Sequence, residues 1–136
     1  MVQRDYILRE IEKIGTIMNA IRQKLFGEND NLSISIETQI ENTKSVLFSE
    51  IAFDIDKFLV LNPEELSVYI SGFDGFNVEN TELLANCISQ IGFNDNSGNS
   101  KNYLEKALQL YELCNMKSKT FSFERETNIM AIKNIM

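Results

Sequence analysis

"DYILREIEKIGTIMNAIRQKLF", residues 5–26, decides the fold class. Its apolar residues Ile7, Ile11, Ile14, Met18, Ile21 and Leu25 alternate spacings of four and three, the period of a helix seam. Leu8 and Ile17 lie beside that seam and widen the stripe, which suits a helix packed into a bundle better than an isolated zipper. Asp5 and Arg9 form an i,i+4 pair near the start, and Gly27 stands where the helix would stop. A helix is therefore predicted from about Asp5 to Phe26.

The same period continues outward. Ile36, Ile40, Leu47 and Ile51 resume a helical stripe, while "LSISI" alternates like a strand but has no second strand to pair with. "NPEEL" is a strong helix start: Asn62 caps, Pro63 takes the first turn, and Glu65 sits three residues past the cap. That helix ends at Gly72. A further helix is expected from about Glu79 to Ile91 with its stop at Gly92, then one from Ser100 to about Asn115 and another from about Lys119 onward. The reading is an all-α fold, a single domain over residues 1–136, built of antiparallel helical hairpins with five to seven helices.

Composition narrows the function classes. Hydrophobic residues make up 43% and charged residues 24%, the balance of a chain that buries a core. The net charge of −7 gives no electrostatic case for nucleic acid or an anionic membrane. No apolar run reaches the length of a membrane span, and the charged N-terminus is no signal peptide, so a cytoplasmic location is expected. Charge is uneven along the chain: residues 28–82 carry twelve acids against Lys44 and Lys57, whereas both ends are weakly basic.

Candidate chemistry is sparse. "GFNDNSGNSKNYLEKAL", residues 92–108, looks like a calcium loop entering a helix. An EF-hand counted from Gly98 would place its first ligand at Phe93 and its closing carboxylate at Leu104, and both are apolar. The stretch reads as a helix–helix connection. Asp54 and Asp56 of "FDIDKF" would project apart on a helix, and Asp74 and Glu79 read as solvated acids. With no histidine in the chain, no Ser–His or Cys–His pair can form, and Cys87 with Cys114 cannot supply a four-ligand zinc site. Both cysteines fall in apolar helical patterns and are expected to be buried, reduced thiols. No catalytic residue, cofactor or metal is assigned.

Two stretches carry a family likeness. "YLEKALQLYELC" sets Ala107, Tyr111 and Cys114 at small–aromatic–small spacing after Leu104, and "LLANCISQIG" brings Leu84 and Ala85. Together they resemble the helical hairpin of a tetratricopeptide repeat, with a longer connection and without the closing proline. "RDYILREIEKIG" and "SKTFSFERETNIMAIKNI" resemble the ends of an uncharacterised bacterial family of short all-helical proteins with such a hairpin. The resemblance implies a fold and no activity.

The function expected is a non-catalytic protein-interaction or scaffold module with an unassigned protein partner, self-association as a homodimer being favoured. Its candidate interface residues are Ile7, Ile11, Ile14, Met18 and Ile21 of the first seam, and the aromatics Phe121 and Phe123. The rival is a small-ligand binder or enzyme with a pocket between helices lined by Tyr69, Tyr103 or Tyr111.

Overall fold

The computed structural model describes residues 2–26 and 35–136, and the described residues form seven α-helices: α1 (Val2–Phe26), α2 (Ile36–Ile51), α3 (Ile55–Leu59), α4 (Pro63–Ser71), α5 (Val78–Asn94), α6 (Ser100–Lys117) and α7 (Phe123–Ile135). There is no strand among them. The helix stop expected at Gly27 lies outside the described residues. The chain falls into two compact units, Met1–Phe76 and Asn77–Met136, where the sequence pattern alone points to one domain.

In the first unit α1 lies against α2, and α2 leads through a tight turn into α3. Ser35 caps α2 by accepting the Thr38 N–H at 3.2 Å. At its other end Ala52 takes the left-handed conformation (φ 58°), so that its N–H reaches Phe48 O and the Phe53 N–H reaches Leu47 O. This reversal drops Phe53 into the core. There it meets the rings of Phe58, Tyr69, Phe73 and Phe76 at centroid distances of 5.2 to 5.8 Å, the tilted and edge-on range that aromatic pairs prefer. The short helix α3, which the periodicity does not reveal, is capped by Asp54. The backbone N–H of that residue donates to Tyr69 Oη at 3.0 Å, tying α3 to α4. Helix α4 begins with the expected capping box: Asn62 Oδ1 accepts the Glu65 N–H at 2.8 Å while Glu65 Oε1 accepts the Asn62 N–H at 3.0 Å.

Gly75 closes this unit onto α1. A β-carbon there would lie 2.5 Å from Glu10 O and 2.6 Å from Ile14 Cδ1, so only glycine lets the backbone approach.

The second unit is an antiparallel hairpin, α5–α6, with α7 laid against both helices. The antiparallel sense shows at its two ends. Gly92 late in α5 touches Tyr103 and Leu104 early in α6, and Cys114 Sγ late in α6 lies 3.7 Å from Val78 O at the start of α5. Gly92 thus corrects the expected helix stop: α5 runs through it to Asn94, and the missing side chain serves close approach to Leu104, not termination. The loop at 95–99 satisfies itself, with the Asp95 carboxylate accepting from Ser97 Oγ and from the Asn99 N–H. The last helix starts at Phe123, four residues later than the pattern predicts, because Ser122 provides the cap by accepting the Arg125 N–H.

Candidate interaction surface

Helix α7 has two faces set by its period. Arg125, Ile129 and Ile132, spaced four and three, turn inward and are buried, while Phe123, Thr127 and Met130, with the same spacing, turn outward and are exposed. An arginine in the inward stripe needs partners there, because a buried unpaired charge is costly. Its Nε and Nη2 donate to Glu82 Oε1 of α5 at 3.1 and 2.7 Å, and Nη1 donates to Asn115 Oδ1 of α6 at 3.0 Å. One guanidinium therefore binds all three helices together.

A second polar link runs beside it. Tyr111 Oη donates to Asn86 Oδ1, which also accepts from Asn128 Nδ2 of α7 at 3.4 Å. Burial first, and then the nearby Glu82 carboxylate, push the Tyr111 phenol well above its usual range. Burial likewise pushes the Cys87 thiol up to about 12 and the Cys114 thiol up to about 11. Both cysteines are unpaired and buried, so neither presents a thiolate near neutral pH. Every buried side-chain polar atom among the described residues has a partner.

The sequence-assigned interface residues part into two groups. Ile14, Met18 and Ile21 are buried by the chain's own packing, so this part of the seam is core and not an open contact surface. Ile11 is half-buried, and Ile7 is exposed beside Tyr6 and Leu8. Phe121 and Phe123 are open to solvent, 69% and 81% exposed, and stacked edge to face with centroids 5.0 Å apart. Met116 and Met130 are also exposed, and Lys117 and Lys119 precede the aromatic pair. Of the three tyrosines named as alternatives for a pocket lining, Tyr69 lines an open hollow at α4 with Leu61, Glu64, Glu65 and Val68. Tyr103 and Tyr111 are buried in the second unit and Tyr69 belongs to the aromatic core of the first.

Among the described residues no group of histidine, cysteine and carboxylate side chains could hold a metal ion, and no helix is long and apolar enough to cross a membrane. The buried Arg125–Glu82 pair was missed from sequence, although an arginine in register with Ile129 and Ile132 was the available signal. No protein-family model, no curated protein and no solved structure matches the chain.

Proposed function

We propose that this protein is a non-catalytic protein-interaction module of the cytoplasm, and that it engages its partner through the Phe121–Phe123 edge of the second unit. The observation that carries the reading is the exposed aromatic pair. Two phenyl rings held in mutual contact in water leave apolar area whose burial would be worth roughly 25 cal/mol per Å². Rings already ordered against each other lose little freedom on binding, and aromatics and methionine are enriched where proteins meet. The α5–α6 hairpin below them supports a tetratricopeptide-like scaffold reading. Ala85, Gly92, Ala107 and Cys114 are small and buried, which lets two helices approach closely. Arg125 then holds α7 in place as the platform for the aromatic edge.

The test is site-directed photo-crosslinking in native cells. A benzophenone amino acid replacing Phe121 is expected to give discrete protein adducts that disappear when Phe123→Ser is added. The same probe at the exposed position Glu112 should give none of them. Identical adduct patterns from the two positions would overturn the reading.

A further inference from the structure

The aromatic edge straddles a hinge. Phe121 belongs to the connection after α6, Phe123 is the first residue of α7, and Ser122 between them caps that helix. The two rings are therefore held together only where the connection meets a formed first turn. That turn rests on the hairpin below it. Arg125, on the same turn as Phe123, gives its backbone N–H to Ser122 Oγ at 3.2 Å and its guanidinium to Glu82 and Asn115. Farther along, Asn128 reaches Asn86, and Ile129 and Ile132 are the buried apolar side chains of α7. Helices α5 and α6 each bury a longer apolar row, including Leu84, Ala85 and Ile88 on one and Leu104, Ala107 and Leu110 on the other. Two isoleucines and one ionic tie thus seat thirteen residues, and a helix of that length is marginal in water once it leaves its support.

Resting on the reading of Phe121–Phe123 as a docking edge, we propose that α7 is a strap that switches this edge. Seated, it holds the rings together; released from the hairpin, it unwinds and the pair is lost. Arg125 is the latch, a positioning residue that acts on the edge through the first turn of α7. Release leaves the α5–α6 hairpin folded, because weakly held elements open locally before the whole unit unfolds. Linkage runs both ways: whatever docks on the edge favours the seated strap and tightens α7 on the hairpin.

Native-state hydrogen exchange on the full chain reads the strap. Amides along 127–135 are expected to be protected about 100-fold, an open state of about 1%, and those along 104–114 at least about tenfold more strongly. Arg125→Met should erase most of the α7 protection and leave that of the hairpin. With the benzophenone amino acid at position 121, the same variant should lose most of the cellular adducts. Adding Glu82→Leu removes the stranded carboxylate and should restore protection and adducts together, which shows that the edge needs a seated α7 and not the charge itself. Wild-type α7 protected as strongly as the hairpin overturns the proposal, and so does an Arg125→Met chain that loses hairpin protection along with that of α7. Adducts that persist while α7 stands open also overturn it and leave the docking edge standing. A wild-type chain without discrete adducts at position 121 removes the edge itself, and the switch with it.

Discussion

Replacing Arg125 by methionine removes the one charge that binds α5, α6 and α7 together. The side chain is 5% exposed and its partner Glu82 is 19% exposed, so the substitution strands a carboxylate with limited access to water. Removing one partner of a buried ion pair costs about 3–5 kcal/mol, and water reaching Glu82 should reduce this to about 2–3 kcal/mol. The Asn115 amide oxygen also loses its donor. Equilibrium urea unfolding reads the total, and hydrogen exchange along 123–135 should show α7 opening first, since an isolated helix of that length is marginal in water. Arg125→Lys should recover little, because an ammonium cannot bridge two acceptors as a planar fork does. The double variant Arg125→Met with Glu82→Leu should return to within about 1 kcal/mol of the parent, since an apolar pair can replace a buried ionic one. If Arg125→Met costs under about 0.5 kcal/mol, or if the two single costs simply add, the guanidinium is not the tie described.

The glycines should rank by what lies opposite them. Gly75→Ala, facing the α1 backbone, should cost near the top of the 1–3 kcal/mol range for overpacking and Gly92→Ala, facing movable Leu104, about the bottom; urea midpoints in the reverse order would refute the close-approach argument. Ala52→Gly should stabilise the first unit by up to about 1 kcal/mol, because the left-handed conformation at φ 58° penalises a β-carbon; a destabilised variant would show that the methyl group matters more than the dihedral. The buried thiols give an alkaline signature. Their folded pKa values, about 12 and about 11, exceed the ordinary 9.0 to which unfolding returns them. Their contribution is therefore complete below pH 9 and is lost as pH rises through 11 and 12. Melting temperature against pH should fall less steeply above 9 when both cysteines are alanine.

Much of the fold was legible because period and capping are local. Helix α1 and the Asn62–Glu65 box were legible from side-chain spacing alone. What escaped depends on contacts distant in sequence. Gly92 looks like a helix stop until Leu104, twelve residues on, lies over it. Helix α3 is too short for a period and exists because Asp54 caps it and Phe58 fills the aromatic core. The candidate surface was half legible. Phe121 and Phe123 could be named as anchors, but periodicity could not tell the covered part of the first seam from an open one, since burial against α2 and burial against another chain leave the same pattern.

The three-way grip of Arg125 also has a consequence in time. Its acceptors sit on two different helices, so neither α5 nor α6 alone offers α7 a complete seat, whereas the hairpin needs nothing from α7 to form its local pairing. Assembly of the second unit is then expected to be ordered, hairpin first and α7 last. Substitutions at Arg125, Ile129 or Ile132 should speed unfolding and leave the folding rate nearly unchanged, while Ala107 or Leu84, in the hairpin seam, should slow folding itself.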